Sequence, residues 1–309
     1  MKKKVAGIGE VLWDILPERT CLGGAPANFA YITTLMGDDG VVASRVGKDS
    51  RGVQALKRME ELGLNIDHVQ IDQDHPTGTV KVELDGKGQP RFEIAREVAW
   101  DFLKWTADWR ELAGKADAVC FGSLAQRSEE SRATIRKFLK GTSAAALKVF
   151  DVNLRQSYYS REVLEESMQL ADIVKLNDEE LPKIMRLVGP NNSSTQPANE
   201  NELSSAQRLI EAFDLKLVCI TRGGRGSLLV RDGESSEHPG FRVRVADTVG
   251  SGDAFTAGLV HEYLHGAPLA LMNETANRVG AWVASEEGAM PAPKRGSLES
   301  SLSEIRQVS

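Results

Sequence analysis

The chain has 309 residues, 41% of them hydrophobic and 27% charged, with 38 basic against 44 acidic side chains for a formal net charge of −6. That length supports a substantial core in one large domain, with or without an appendage. The interleaved, slightly acidic charge excludes a basic face built for nucleic acid or anionic lipid. Met1-Lys2-Lys3-Lys4 opens like a signal peptide, but Glu10 and Asp14 interrupt the apolar stretch that follows, and no run reaches membrane-spanning length. Cys21, Cys120 and Cys219 are odd in number and show no paired metal spacing, which fits reduced structural thiols in a cytoplasmic protein.

In chain order, residues 4–9 read as a buried strand and 11–16 as a second, turned by Pro17-Glu18-Arg19-Thr20. Gly23-Gly24-Ala25-Pro26-Ala27-Asn28 precedes a helix over 29–36; a strand at 41–44, a helix over 50–62 and a short strand near Val69 follow. This alternation predicts a mostly parallel sheet with helices on both faces. Residues 79–84 and 91–94 break it as short strands around Asp85-Gly86-Lys87-Gly88-Gln89-Pro90, a hairpin with turn residues throughout. With the 11–22 excursion this hairpin, about 76–99, makes a small separate sheet inserted in a single domain spanning 1–309, placed to act as a lid.

Alternation resumes with strands at 118–121, 147–151 and 173–176 and helices over 129–139, near 162–171 and after Asp178. Residues 189–204, polar and rich in Asn and Ser, read as a mobile surface connection. Strands at 217–221 and 227–230 lead to closing helices over 253–264 and 273–285. No internal repeat is present.

The most informative stretch is Asp247-Thr248-Val249-Gly250-Ser251-Gly252-Asp253. Its glycines allow a tight turn whose amides converge, and the apolar 3.6-residue spacing that follows predicts a helix beginning at Asp253. A helix N-terminus is an anion site, and a carboxylate placed there suits a base that deprotonates a hydroxyl attacking phosphorus. Read more plainly, Asp253 is the N-cap of the helix. Strand ends carry further polar clusters: Asn153 and Arg155 after one, Asn177 and Glu180 after the next, and Thr221-Arg222-Gly223-Gly224-Arg225-Gly226 after a third. Open α/β sheets hold ligands at such carboxyl edges, although acids at a helix start and glycines in a hairpin have structural uses too. Asp14, in an apolar strand, is a candidate for hydrogen bonding vicinal hydroxyls or a solvated edge carboxylate. No Gly-x-x-x-x-Gly-Lys-Ser/Thr occurs, and Gly7-Ile8-Gly9 lacks the third glycine of a dinucleotide fingerprint. His261-Glu262-Tyr263-Leu264-His265 matches the His-Glu-x-x-His pattern of zinc peptidases, with no third ligand evident downstream.

Together the 23–28 and 247–253 motifs, in this order and with a hairpin between them, resemble the ribokinase-like sugar kinases of the PfkB carbohydrate kinase family, over nearly the whole chain. The resemblance implies a three-layer α/β/α core with a small β-sheet lid, and transfer of the γ-phosphate of ATP to a primary hydroxyl of a small sugar. It implies Asp253 as catalytic base and Gly250, Ser251 and Gly252 as the anion hole. Asp14, Gly23, Gly24, Asn28 and Arg96 become sugar contacts, and Asn177, Thr221, Gly223, Gly226 and Asn277 the nucleotide side. Glu180 would serve Mg²⁺ through water, with Asn153 and Arg155 near phosphates or sugar. Asp247 and Val249, with backbone near Gly288 and Ala292, would hold a monovalent cation such as K⁺. Gly9-Glu10-Val11-Leu12-Trp13-Asp14 is most similar to the fructokinase branch; ribose and 2-keto-3-deoxygluconate remain alternative substrates, and a dimer through the lid edge is compatible. The different-class alternatives are a sugar or nucleotide sensor without catalysis and a zinc hydrolase through His261, Glu262 and His265.

Overall fold

The computed structural model describes residues 2–84, 90–189 and 201–305. The chain begins β1 (Lys4–Ile8), β2 (Leu12–Ile15), β3 (Thr20–Gly23), α1 (Ala25–Leu35), β4 (Asp39–Gly47), α2 (Ser50–Glu61), β5 (Val69–Asp72), β6 (Gly78–Leu84) and β7 (Pro90–Ile94). The middle contains α3 (Ala107–Lys115), β8 (Ala118–Gly122), α4 (Glu129–Lys140), β9 (Leu147–Asp151), α5 (Arg161–Leu170), β10 (Ile173–Asn177) and α6 (Leu181–Val188). It ends with α7 (Glu202–Phe213), β11 (Leu217–Thr221), β12 (Ser227–Arg231), β13 (Glu234–His238), α8 (Ser251–Leu264), α9 (Leu269–Ala284) and α10 (Leu298–Leu302).

Among the described residues, nine strands form one sheet in the order β13-β12-β11-β10-β9-β8-β1-β4-β5, parallel except where β12 and β13 pair antiparallel at one edge. Strands buried on both faces send successive side chains to opposite sides. In β1, Val5 therefore joins a core with α1, α2, α8 and α9, whereas Ala6 and Ile8 join the opposite core, with Trp109 of α3, Phe138 of α4 and Leu209 of α7. Trp100, Trp109 and Trp282 are fully buried, each worth roughly 1.5–3 kcal/mol or more in apolar transfer. A second, four-stranded sheet, β3-β2-β6-β7, rises directly from the end of β1.

The three layers and the small sheet agree with the sequence reading. Several boundaries move. Helix α1 starts at Ala25, four residues before the expected start, because Pro26 in its first turn is pre-set for helical φ and needs no amide partner. Helix α8 starts at Ser251 with Gly250 as N-cap in the left-handed region, so Asp253 lies inside the first turn and does not cap the helix. Residues 202–204, expected in a connection, already belong to α7, whose N-cap Asn201 accepts from the Ser204 amide; the rest of that connection, 190–200, and the hairpin tip, 85–89, lie outside the described residues. Sequence periodicity also missed α3, capped by Thr106, and the short edge strand β13, whose Glu-Ser-Ser-Glu-His carries no apolar alternation. No helix among the described residues is long and apolar enough to cross a membrane.

Candidate active site

The chain runs from β1 to β4 on one side of β1 and returns to place β8 on the other, so the strand order switches direction between β1 and β8. A crevice opens outside the carboxyl ends of strands at such a point. It is lined by Pro26 and Phe29 of α1, Phe121 and Gly122 of β8, Asp151 and Asn153 at the end of β9, and Asp253 and Thr256 of α8. Two elements from distant parts of the chain converge there. Asn28 on α1 donates through Nδ2 to Asp253 Oδ2 at 2.8 Å, across 225 residues of sequence. The other Asn28 amide atom, Oδ1, is buried without a hydrogen-bond partner, a free acceptor beside the carboxylate.

The first turn of α8 supplies the complementary donors. The Ser251 amide reaches back to the Thr248 carbonyl, and Ala254 begins the intrahelical ladder from Gly250. The amides of Gly252 and Asp253 take no backbone acceptor among the described residues, which leaves two open donors at the positive end of the helix. Gly250 must be glycine: its φ is 76°, and a Cβ there would collide with Ala289. Under Gly252, Lys175 Nζ would lie 3.1 Å from an added Cβ.

Lys175 belongs to a buried network. Its Nζ lies 3.0 Å from each Asp151 carboxylate oxygen, and Thr256 Oγ1 donates to Asp151 Oδ2 at 2.8 Å. Burial alone would discharge this ammonium, but Asp151, Glu180 and Asp253 outweigh it and hold its pKa above the ordinary lysine range. Three nearby carboxylates are raised as well, which for an acid favours the neutral form. Burial, reinforced by Asp151, pushes Asp253 up to about 6, against the Asn28 hydrogen bond, Lys175 and Arg155. Burial likewise lifts Asp14 to about 6 and Glu10 to about 7, with Arg155 opposing in both cases. Arg155 is exposed, and it acts on all three acids.

Of the expected sugar-side residues, Asp14 lies against Gly23, and Gly24 and Asn28 follow at the start of α1. Asp14 on β2 crosses over Gly23 of β3, where a Cβ would sit 2.5 Å from Asp14 Oδ2, and Gly24 caps α1 at φ 109° against the Glu10 carbonyl. Arg96 is instead exposed, its Nε 3.1 Å from the Tyr158 hydroxyl. Arg96 and Arg127 both lie over the Tyr158 ring, 5.3 and 4.8 Å from its centroid.

On the other flank, much of the polar chemistry is already satisfied internally. Glu180 accepts from the Leu154 amide at 2.7 Å and the Asn177 amide at 2.9 Å, while Asn177 Oδ1 accepts from the Glu179 and Glu180 amides. Asn277 Nδ2 is committed to Ser227 Oγ and to Asn273, tying α9 to β12. Thr221 closes β11, while Gly223 and Gly226 adopt φ 57° and 81° in the turn before β12. Asp247 accepts from Arg19 at 2.8 Å and from the Val249 amide at 3.0 Å, and Gly288 turns at φ 76° in the neighbouring loop. Asn153 also turns through the left-handed region, at φ 40°, and its carbonyl accepts from Ser123. The His-Glu-x-x-His stretch lies at the far end of α8, and Glu262 turns from the two histidines to accept from Thr275 Oγ1. A metal-bound water at His261 and His265 would have no general base in Glu262.

Glu10, Lys175 and Thr256 were not singled out from the sequence. Two of them left a signal: Glu10 is a charge in the buried connection between β1 and β2, and Lys175 is a charge in the otherwise apolar strand Ile173–Asn177.

The sequence pattern of the pfkB family carbohydrate kinases matches residues 19–295. The chain is 30% identical to the Escherichia coli fructokinase, covering 97% of this chain and 99% of that one. It resembles the sugar kinase PH1459 from Pyrococcus horikoshii, solved in complex with ATP, at 28% identity and a TM-score of 0.76 over 93% of this chain and 94% of the other. The fold is shared with the 2-dehydro-3-deoxygluconokinase of Thermotoga maritima, 18% identical with a TM-score of 0.79 over 98% of each chain.

Proposed function

The chain belongs to the pfkB family of carbohydrate kinases, and on that footing we propose that it is an ATP-dependent fructokinase working through Asp253. The observation that carries this reading is one carboxylate, raised to about 6, held by Asn28 at the open amide end of α8. A base with a pKa just below neutrality is ionised at working pH yet basic enough to accept a proton in the transition state. The primary hydroxyl oxygen of the sugar attacks the γ-phosphorus, its proton passes to Asp253, and the bond to the β–γ bridging oxygen breaks to release ADP. The Gly252 and Asp253 amides, with Gly250 and Ser251 shaping the turn, meet charge on the transferring group; one such donor is worth roughly 3 kcal/mol.

Asp14 and the unpartnered Asn28 Oδ1 accept from sugar hydroxyls, with Gly23 and Gly24 giving room, and Arg96 and Arg155 bring positive charge to the rim. The small sheet, β2 and β3 with β6 and β7, is the lid, and its outer strands β3 and β7 are the edges where a second copy would pair. ATP lies toward Asn177, Thr221, Gly223, Gly226 and Asn277, with Asn153 near its phosphates. Mg²⁺, when bound, neutralises phosphate charge. Both Glu180 oxygens already accept backbone amides, so this residue suits orienting a metal-bound water and not direct ligation. Asp247, whose oxygens each accept one hydrogen bond, from Arg19 and from the Val249 amide, keeps acceptor capacity for a monovalent cation beside Val249 and Gly288, and no step is assigned to such an ion. The three free cysteines suit the reducing cytoplasm. Fructose is preferred over ribose and 2-keto-3-deoxygluconate on the identity to the E. coli enzyme.

The test is ADP release with ATP and Mg²⁺ across fructose, ribose, 2-keto-3-deoxygluconate and glucose. Fructose should turn over with the highest kcat/KM, and Asp253→Asn should lower kcat by about 10²–10⁴ with little change in sugar affinity. Turnover of another sugar would reassign the substrate; full activity in Asp253→Asn would remove the base.

A further inference from the structure

At the end of α8 opposite the crevice, His261 and His265 face Asp38, which follows α1 and is almost wholly buried. Eight residues separate His261 from Asp253, about 12 Å along the helix axis, so this cluster is apart from the site described above. One donor atom from each of the three side chains lies within 4.8 Å of the others, and among the described residues no other group of three or more metal-ligating side chains does so.

The hydrogen bonds already prepare these donors. His265 Nδ1 donates to the His261 carbonyl at 2.7 Å, which places the proton of a neutral ring on Nδ1 and leaves the Nε2 lone pair turned toward Asp38. That Nε2 stands 3.9 Å from Asp38 Oδ1, too far for a hydrogen bond. Two ligands each about 2.0–2.2 Å from one ion span such a gap with only a small adjustment. A ligating imidazole whose second nitrogen donates to a backbone carbonyl is the outer-shell arrangement that fixes ring orientation in metal sites. The Lys3 amide donates to Asp38 Oδ1 and orients the carboxylate, while His261 Nδ1 lies 2.7 Å from Asp38 Oδ2, a direct hydrogen bond that a bound ion would replace.

We propose that Asp38, His261 and His265 form a binding site for a borderline divalent transition metal, of the Zn²⁺, Co²⁺ or Ni²⁺ class, that fastens the end of α8 to the α1–β4 junction. Two imidazoles and one carboxylate favour these ions over Mg²⁺ and K⁺, which prefer all-oxygen shells. His261 and His265 remain partly exposed, so water completes the coordination. Glu262 is bonded to Thr275 and offers that water no base, so the ion acts as a clamp and not as a hydrolytic centre.

The experiment titrates chelator-stripped full-length protein with Co²⁺ and Zn²⁺. Visible absorption of bound Co²⁺ reads the ligand set, and thermal denaturation reads the clamp. One saturable equivalent is expected, unaffected by excess Mg²⁺, with Tm raised by about 4 °C at a hundredfold excess of Zn²⁺ over its Kd. His265→Ala, at a half-exposed position that leaves the fold intact, should lose both the Co²⁺ spectrum and the Tm shift. Asp38→Asn should weaken binding at least tenfold, whereas Asp253→Asn should bind the metal unchanged even though its kinase activity is lost. Absence of saturable binding, or binding that survives His265→Ala, would overturn the site.

Discussion

The two flanks of the crevice are built on opposite principles. Around Asp253, acids and bases are buried with their charge balance left incomplete: Asp14, Glu10 and Asp253 are all raised, Asn28 keeps an orphan acceptor, and Lys175 and Asp151 form a buried pair joined by Thr256. Around Asn177, Glu180 and Asn277, polar atoms are largely consumed by one another and by backbone, leaving shape and turn geometry as what is presented. Unfinished electrostatics is costly to hold and marks the place where charge is to be moved; finished hydrogen bonding marks a place that only has to fit.

The largest effect expected from breaking this contrast is at Lys175. Lys175→Met leaves Asp151 as a buried carboxylate without its cation, a loss of about 3–5 kcal/mol. Chemical denaturation should show the midpoint falling with the m-value unchanged. The double variant Lys175→Met with Asp151→Leu should regain most of that stability but not the turnover, because the positive charge under the Gly252 amide is still missing. If the double variant is fully active, Lys175 is a structural partner and nothing more.

A second effect separates the flanks by pH. Glu10 at about 7 and Asp14 and Asp253 at about 6 bind protons more tightly folded than unfolded. Between the unfolded carboxylate range and pH 7 the native state therefore holds more protons, and stability must fall as pH rises through that window. Each unit of displacement corresponds to about 1.4 kcal/mol, and the coupled set should sum to a few kcal/mol. Activity should run the opposite way, with kcat/KM rising as Asp253 ionises near pH 6. Denaturation midpoints and initial rates from pH 5 to 8 test both signs; stability rising together with activity would contradict the upward displacement. In Asp253→Asn the stability slope should shrink.

What was legible in the sequence follows the same division. The glycine turn at 250–252, Asp253 and the alternation of strand and helix were read from local chemistry, because a tight turn, an anion-binding helix end and a parallel sheet each leave a periodic or compositional mark, whereas Asn28 was reached only through the family resemblance. The hydrogen bond from Asn28 to Asp253 spans 225 residues and leaves no local mark. Nor does Asp38 beside His261, the upstream donor that a downstream search could not find. Helix α3 escaped because its apolar face rests on Trp109, Leu112 and Ala113 within a charged nine-residue segment, and β13 because edge strands need no apolar face. Lys175 was passed over inside an apolar run, although a cation in a buried strand needs a buried partner.

The smallest of the expected effects lies on the finished flank. Asn277→Ala removes the amide that donates to both Ser227 Oγ and Asn273 Oδ1, leaving that buried pair only the hydrogen bond between themselves. The cost is about 1–3 kcal/mol of stability. Because this amide holds β12 against α9 and meets no reacting atom in the crevice, the turn through Gly223 and Gly226 should loosen, raising KM for ATP a fewfold. The sugar KM and kcat at saturating ATP should stay near the parent values. Steady-state kinetics with each substrate varied in turn makes the distinction: a fall in kcat at saturation would place Asn277 with the charge-moving residues. A change confined to KM for ATP keeps it where its hydrogen bonds put it, in a wall that selects by fit.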